Sequence, residues 1–152
     1  LTVNPAEGTE LYFGASYTDA EIEGVLVSNA LGSAILDRRP PFTSEWKVFA
    51  RARQSFQVAE GTLTIQADLQ YNSDFYFSVT NFDATKVDSH TLLGARVSWV
   101  SPDERWEFAA FGKNLTDKRH RTVGFDISDF GGFTESGYNK PRWVGGSVSY
   151  RF

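Results

Sequence analysis

Side chains that commonly do chemistry are few in this sequence. It has no cysteine and only two histidines, His90 and His120, both in or beside predicted long loops, where histidines are seldom metal or haem ligands. The carboxylates are scattered singly near predicted turns, and none lies beside a nucleophile at the spacing of a catalytic motif. Gly131-Gly132 lacks the lysine of a phosphate-binding loop. We therefore expect no enzyme, no metal site and no cofactor.

Aromatic side chains offer a second kind of chemistry, the stacking of rings against a bound ligand. They make up 15% of the chain. In the predicted long loops the rings are flanked by Asp, Ser and Asn, a setting that suits sugars or planar chelates. The alternative is that these rings only pack the loops against one another. The candidate ligand-binding residues are His120, Phe125, Phe130, Phe133 and Tyr138.

The composition argues against some classes of protein and leaves others open. The hydrophobic fraction is 41%, and no run approaches the roughly 20 consecutive apolar residues that a membrane-spanning helix needs. A membrane β-strand remains open, because only every second residue of such a strand is apolar. The net charge of −4 argues against a nucleic-acid partner.

The length of 152 residues suits a single domain. No basic segment is followed by an apolar stretch, so no secretory signal peptide is visible. The sequence opens with Leu1 and contains no methionine. We therefore expect a processed product or a piece of a longer protein.

Apolar and polar residues alternate along most of the chain. In residues 62–72 every odd-numbered residue from Leu63 to Tyr71 is apolar, and every even-numbered residue is polar. Such strict alternation predicts a β-strand with one apolar and one polar face. The same pattern predicts further full strands and a stub, at residues 9–18, 44–57, 91–100, 105–114 and 142–152 and at residues 1–4.

The predicted connections alternate between short and long. Short turns fall at residues 4–8, 58–61 and 101–104, and long links cover roughly residues 19–43, 77–90 and 115–141. Outer-membrane barrels show this sorting, with short turns on the periplasmic side and long loops outside. The predicted fold class is all-β: an antiparallel up-and-down meander of about six full strands and a stub, forming an open segment of a larger transmembrane barrel.

Large aromatic residues of the apolar face fall at the two ends of the predicted strands. From Trp46 to Phe56 the strand runs about 33 Å at ~3.3 Å per residue. Tilted by about 40–45°, it spans roughly 24 Å of the membrane normal, near the expected apolar band of ~25 Å. The pattern predicts two membrane girdles: Phe56, Trp99, Trp106 and Phe152 beside the short turns, and Tyr17, Trp46 and Tyr71 beside the long loops.

The turns also predict two registers. Closing the first hairpin with Gln57 opposite Thr62 places Arg51 opposite Asp68 on the polar, lumen-facing side, a favourable pair of opposite charges. Closing the turn at residues 101–104 in the same way places Trp99 opposite Trp106 on the lipid-facing side. A register shifted by two residues would remove either pair.

Two segments carry a family resemblance. Residues 106–117, WEFAAFGKNLTD, and residues 141–152, PRWVGGSVSYRF, resemble the closing strands of TonB-dependent receptors, and residues 61–77 resemble that family's barrel more loosely. The family often has an aromatic residue where His120 stands, and Thr or Ser where Trp143 stands. The matching motif residues are Asn114, Leu115, Asp117, Pro141, Arg142, Tyr150 and Phe152. Of these, Tyr150 and Phe152 resemble the signal that the barrel-assembly machinery reads.

The resemblance implies a function and a setting. Residues 1–152 would be the C-terminal part of a barrel of about 22 strands, without the plug and the N-terminal strands. The complete receptor would lie in the outer membrane of a Gram-negative bacterium and import a scarce nutrient, an iron chelate (siderophore) or a glycan, with energy transmitted through TonB. Its implied partners are membrane lipid, the plug and remaining strands, TonB, the barrel-assembly machinery and a small-molecule ligand.

Two other classes of protein stay open at this point. A small complete outer-membrane barrel with a structural or adhesive role would need at least one further hairpin. A soluble carbohydrate-binding β-sandwich would need a second sheet over the apolar face. For the receptor segment, we expect the chain expressed alone to aggregate or to need detergent, because a bilayer does not tolerate an open sheet edge.

Overall fold

The computed structural model describes residues 1–29, 32–127 and 132–152. Its strands, in chain order, are β1 (Thr2–Val3), β2 (Thr9–Tyr17), β3 (Ile22–Asn29), β4 (Gly32–Arg38), β5 (Trp46–Val58), β6 (Gly61–Asn72), β7 (Phe75–Tyr76), β8 (Lys86–Val87), β9 (His90–Val100), β10 (Trp106–Lys113), β11 (Arg121–Ile127), β12 (Phe133–Tyr138) and β13 (Trp143–Tyr150). A short 3₁₀ turn spans Asp83–Thr85. No helix among the described residues is long and apolar enough to cross a membrane.

The main sheet has seven antiparallel strands in the order β1-β2-β5-β6-β9-β10-β13. These are the six full strands and the stub predicted from the alternation, and each pairs with the next in the chain once the long connections are passed over. The antiparallel meander is therefore confirmed. Within the described residues the outer edges of β1 and β13 pair with no strand, so the sheet is open.

The long connections hold more structure than the sequence indicated. We call residues 18–45 loop 1, residues 73–89 loop 2 and residues 114–142 loop 3. Each contains a two-stranded hairpin, formed by β3 and β4, by β7 and β8, and by β11 and β12 respectively. The pairing of two hairpins is interrupted by irregularities, between Ile22 and Val25 and between Arg121 and Val123, which blur the period-two pattern.

One predicted register is present and the other is wrong. Gln57 lies opposite Thr62 and Arg51 opposite Asp68, as predicted. Trp99, however, lies opposite Phe108 and not Trp106. The register differs by two residues because the turn is closed one residue further along: the Ser101 N–H donates to the Trp106 carbonyl (2.9 Å).

Ser101 explains why this turn closes where it does. Its hydroxyl oxygen accepts the Trp106 N–H at 2.9 Å and its O–H donates to Asp103 Oδ1 at 2.6 Å. Asp103 Oδ1 also accepts the Arg105 N–H. The hydrogen bond from Ser101, and to a lesser extent the one from the Arg105 N–H, lower the pKa of the exposed Asp103 carboxyl. A side-chain network of this kind is not visible in the alternation of apolar residues.

The apolar faces of all seven strands lie on one side of the main sheet. Large side chains in its middle remain open to the surroundings: Ile65, Val97 and Phe108 are 45%, 43% and 45% exposed. The buried apolar side chains of the described residues lie instead in loops 1 and 2, at Val27, Phe77 and Val87. No second layer of described residues covers the sheet, whereas the β-sandwich alternative needs one.

Candidate ligand groove and loop cluster

The polar face of the main sheet carries paired charges. Arg51 Nε lies 2.7 Å from Asp68 Oδ1, and Arg96 Nη2 lies 2.6 Å from Glu107 Oε1. The Arg51 guanidinium also lies 5.4 Å from the centre of the Phe49 ring. All four charged side chains are partly exposed, and exposed pairs of this kind contribute about 0.2–1 kcal/mol each. These pairs fix the positions of the charged side chains on the polar face, and their contribution to the free energy of unfolding is small.

A groove opens on this polar face where the strands approach the loops, with a volume of about 330 Å³. Four strands place one residue each in a continuous row across it: Asp68, Gly94, Lys113 and Trp143. Gly94 has no side chain, which leaves open the space between Asp68 and Lys113. We define the groove by the side chains that line it: Phe49, Asp68, Gln70, Leu92, Lys113, Lys140 and Trp143.

The groove has an excess of positive charge. Asp68 is its one carboxylate among the described residues, and Arg51 pairs with it. Lys113 and Lys140 make no ion pair with a described residue. Lys113 Nζ lies 5.7 Å from the centre of the Trp143 ring, a cation–π contact at a partly open site.

Asn114 fixes the point at which loop 3 leaves β10. It is buried, and its backbone has a φ of 50°, a left-handed conformation that asparagine tolerates better than most residues. Its Oδ1 accepts the Lys118 N–H (2.9 Å), and its Nδ2 donates to the carbonyls of Lys118 (3.0 Å) and Lys140 (3.1 Å). One side chain thereby holds both ends of loop 3 together.

Asp117 adds a second link between the ends of loop 3. Its Oδ1 accepts the Arg142 N–H at 2.8 Å, and its backbone is also left-handed, with a φ of 53°. The Leu115 N–H donates to the Leu93 carbonyl at 2.9 Å, which ties the same turn to β9. The motif residues around Asn114 thus terminate β10 and align the start of β13.

The two histidines contact each other. His90, the first residue of β9, is buried, and its ring stacks on that of His120 with 3.7 Å between centroids and 13° between planes. His90 thus lies beside loop 2, as expected from the sequence, and its side chain is buried there. His90 Nδ1 lies 3.0 Å from the Asp88 carbonyl oxygen. In the described residues no group of three or more His, Cys, Asp or Glu side chains could hold a metal ion.

His120 lies between this stack and the stem of loop 3. Its N–H donates to Asn139 Oδ1 at 2.9 Å, and its carbonyl accepts the Asn139 N–H at 3.1 Å. Its Nδ1 is buried without a hydrogen-bond partner among the described residues. Burial lowers the pKa of His120, and the nearby His90 and Lys118 charges lower this pKa further.

Loops 1 and 2 are joined by an ionic cluster. Asp74 Oδ2 accepts from Arg39 Nη1 at 3.1 Å and lies 3.6 Å from Lys86 Nζ. Asn81 pairs with the backbone of Arg39 in both directions: its Oδ1 accepts the Arg39 N–H (2.8 Å) and its Nδ2 donates to the Arg39 carbonyl (3.1 Å). Loop 1 is therefore anchored to loop 2 by polar contacts over a long sequence separation.

Loop 3 packs against the same part of loop 2. Arg121 Nη1 donates to the carbonyls of Ala84 (2.6 Å) and Lys86 (3.2 Å). Gly124 lies against the buried Phe77 ring so closely that an added Cβ would be 2.3 Å from its Cζ. The three loops form one cluster centred on loop 2.

The aromatic residues proposed as ligand contacts have different surroundings. Phe125, Phe133 and Tyr138 are 62%, 54% and 55% exposed on the loop 3 hairpin, and none of them lines the groove. Phe130 lies outside the described residues, and His120 is stacked on His90. The sequence reasoning missed Phe49, Lys113 and Trp143. Their signal was present in the alternation, because Phe49 and Trp143 are large rings at polar-face positions.

The residues predicted as girdles form two groups on the apolar face. At the short-turn end Trp106 lies 4.7 Å from the ring of Tyr150 and 6.0 Å from that of Phe108, and Tyr150 lies 5.2 Å from Phe152. In the same region Phe56 is opposite Leu63, which is opposite Trp99. At the loop end the rings of Tyr17 and Trp46 are 4.8 Å apart, and Tyr71 is opposite Val48.

No protein-family model and no curated protein matches this sequence. Among solved structures, the crystal structure of the ferric yersiniabactin uptake receptor FyuA from Yersinia pestis matches with a TM-score of 0.76 and 17% sequence identity. The match covers 99% of this chain and 22% of the receptor chain. The resemblance seen in the closing motifs is thus confirmed at the level of the fold, and the chain has the fold of a segment of an uptake-receptor β-barrel.

Proposed function

We propose that this chain is the C-terminal part of the barrel of a TonB-dependent receptor in the outer membrane of a Gram-negative bacterium. The complete receptor imports a scarce nutrient, an iron chelate or a glycan. The observation that carries the proposal is the open seven-stranded sheet with a continuous exposed apolar face, matched over 99% of the chain by an uptake receptor. Lipid covers that face, since burial of apolar side chains is the main stabilising force available to such a sheet.

The remaining partners follow from the same geometry. Further strands complete the barrel at β1 and β13, because every backbone N–H and C=O within a bilayer must be paired. The polar face then lines the lumen, where the plug resides, and the loop cluster lies at the outer mouth. TonB acts on the plug and not on the residues described above, whereas the barrel-assembly machinery reads the last strand, with Tyr150 and Phe152.

The proposal is tested in cells with the full-length receptor. The gene is deleted and complemented, and uptake of radiolabelled iron chelates and growth on glycans as sole carbon source are measured with and without functional TonB. We expect deletion to abolish uptake of one ligand class, and loss of TonB to do the same. Unchanged uptake of every ligand, or uptake that persists without TonB, would contradict the transport role.

Localisation needs a separate measurement. We expect the receptor to fractionate with outer membranes, to require detergent for extraction, and to migrate differently on gels before and after heating, as closed membrane barrels commonly do. Recovery as a detergent-free monomer would contradict the membrane assignment. The same measurement on residues 1–152 alone should give aggregate or detergent-dependent protein, because its edges are open.

A further inference from the structure

The hairpin of loop 3 has two unlike faces, because successive side chains of a strand point to opposite sides. We call one of them the apolar loop face and define it by five side chains that share it: Val123, Phe125, Ile127, Phe133 and Glu135. We propose that the apolar loop face docks an outer loop of the same receptor, namely the loop carried by the strand that pairs with the free edge of β13. Docking of this kind rests on the proposed function, which supplies that strand.

The opposite face of the hairpin is held by loop 2. Gly124 is buried against the Phe77 ring, and Asp126 Oδ2 accepts a hydrogen bond from Thr80 Oγ1 at 3.1 Å. Arg121, at the start of β11, donates to two backbone carbonyls of loop 2. One face of the hairpin is therefore turned toward loop 2, and the apolar loop face is turned away from it.

The described residues leave the apolar loop face uncovered. Val123, Phe125 and Phe133 are 43%, 62% and 54% exposed. Glu135, on the same face, is also exposed and makes no ion pair with a described residue. A hairpin of a soluble protein has the reverse arrangement, with its apolar face packed and its polar face in water. Exposed apolar surface of this kind marks a site of contact.

The order of the strands identifies the neighbour. Loop 2 joins β6 to β9 and loop 3 joins β10 to β13, so loop 2 lies on the β9 side of loop 3. The side away from loop 2 is the side of the free edge of β13. That strand runs from loop 3 to the short-turn end, where Tyr150 lies opposite Trp106. An antiparallel partner runs the other way, ends beside loop 3 and continues there into an outer loop.

The same geometry separates this loop from other occupants. A ligand in the lumen would contact a face turned to the barrel axis, and lipid would contact a face turned outward from the barrel. A face opposite to loop 2 is turned along the rim, toward the next loop. We expect that loop to supply apolar side chains to Phe125 and Phe133, and a lysine or arginine to Glu135.

The first experiment measures whether the apolar loop face is covered. Single cysteines are placed in an otherwise cysteine-free full-length receptor on intact cells, as Phe125→Cys and Glu135→Cys. Thr116→Cys is the matched control, because Thr116 is exposed in loop 3 and lies outside the apolar loop face. The rate of labelling by a membrane-impermeant maleimide is divided by the rate for the same variant unfolded in detergent.

We expect both thiols on the face to react about tenfold more slowly than the control, because packing against the neighbouring loop restricts the reaction to local openings. Glu135→Cys removes no apolar contact. It therefore reports on the face even where Phe125→Cys weakens the packing.

The second experiment identifies the occupant by photo-crosslinking. p-Benzoylphenylalanine replaces Phe125 or, in a second variant, Phe133, and the full-length receptor is irradiated in detergent. Mass spectrometry of the peptides should find a crosslink to the outer loop beside β13. The control carries the same group in place of Ile35, which is 71% exposed on loop 1 and should give no crosslink to that outer loop.

Rapid labelling of both cysteines on the face would overturn the proposal. Crosslinks from Phe125 and Phe133 only to loop 1, to detergent, to a ligand or to another protein would do the same, as would the absence of any crosslink. Failure of the proposed function is recognised separately, by loss of TonB-dependent uptake or of the outer-membrane location. Rapid labelling in a receptor that still imports its ligand would overturn the docking alone.

Discussion

The contact between Arg51 and Asp68 is the clearest single-residue test of the sheet register. Arg51→Gln and Asp68→Asn, alone and combined, form a double-mutant cycle measured by urea unfolding of the refolded full-length receptor. We expect a coupling energy of about 0.2–1 kcal/mol, because the pair is partly exposed. Glu10 and Arg53 are the matched control: they lie directly opposite each other on β2 and β5 without forming an ion pair. A coupling as large in the control would show that register alone, and not the 2.7 Å contact, produces the effect.

The histidine stack predicts a dependence on pH. The folded pKa of His120 is lowered, chiefly by burial, whereas the unfolded chain has the ordinary value of about 6.5. The unfolded state therefore binds more protons as the pH falls. The stability that neutral His120 confers is present above about pH 6.5 and is lost as the pH falls through the folded pKa. The stem of loop 3 should loosen over that range.

Hydrogen exchange of the Asn139 amide, which donates to the His120 carbonyl, measures this loosening directly. After correction for intrinsic exchange rates, its protection should drop between about pH 7.5 and pH 5.5, on either side of the ordinary histidine pKa. His120→Phe keeps a ring against His90 and removes the titrating group, so the drop should vanish. An unchanged drop in that variant would contradict the assignment of the effect to His120.

For single residues, the sequence predicts cross-strand pairs on one face of the sheet better than contacts that depend on side-chain hydrogen-bond networks. Arg51 and Asp68 could be paired because strand parity and a tight turn determine both positions. Trp99 and Trp106 were paired wrongly because Ser101 and Asp103 hydrogen-bond within the turn. The His90–His120 stack joins residues on different strands and loops, and no local pattern indicates it.

Among the elements, the packing of loop 3 on loop 2 depends on one glycine. Gly124→Ala would place a methyl group within 2.3 Å of the Phe77 ring. The β11–β12 pairing holds Gly124, and a hydrogen bond from the Phe77 N–H to the Thr85 carbonyl holds Phe77. We expect the variant to separate the β11–β12 hairpin from loop 2, since overpacking of this kind typically costs about 1–3 kcal/mol. Limited proteolysis of the receptor in detergent should then cleave loop 3 faster.

Gly94→Ala is the control for that change. An added Cβ at Gly94 would make only ordinary contacts, 3.5 Å to the Gly112 carbonyl oxygen and 3.6 Å to Asp68 Oδ2. Its cleavage rate in loop 3 should equal that of the wild type. Equal acceleration in both variants, or in neither, would contradict the packing of Gly124 on Phe77.

The long strands could be predicted and the loop hairpins could not, for a physical reason. A strand such as β6 alternates over its full length because one side faces an apolar and the other a polar surrounding. The loop hairpins have no such uniform surrounding. The Gly24 backbone adopts a φ of 69° where the β3–β4 pairing is irregular. The buried Phe77 ring packs against Gly124, which is distant in the sequence. The candidate groove could not be predicted from local patterns either, because its row of residues comes from four different strands.

For the whole molecule, the open sheet and its bare apolar face have the same explanation. A sheet with Ile65, Val97 and Phe108 uncovered exposes an apolar patch that needs a partner, and the proposed bilayer would supply it while requiring both edges of the sheet to be paired. The closing motifs indicated the architecture because strand ends and turns carry specific residues. The motifs do not describe the loops or the groove, so they do not indicate a ligand.

The two-sidedness of β6 is tested most directly by cysteine scanning of the full-length receptor in lipid vesicles. This chain has no cysteine, so each introduced thiol is unique within it. Single cysteines replace Thr64, Gln66 and Gln70 on one face and Leu63, Ile65 and Leu69 on the other. Spin labels at each site report contact with lipid-dissolved oxygen and with a water-soluble relaxing agent.

We predict strict alternation: the polar positions respond to the water-soluble agent and the apolar positions to oxygen. Ile65, nearer the middle of the strand, should show stronger oxygen contact than Leu63, which lies near the short turn. Apolar positions shielded from both agents would place them in a protein core. That result would contradict a membrane-facing sheet and, with it, the assignment of this chain to a transport barrel.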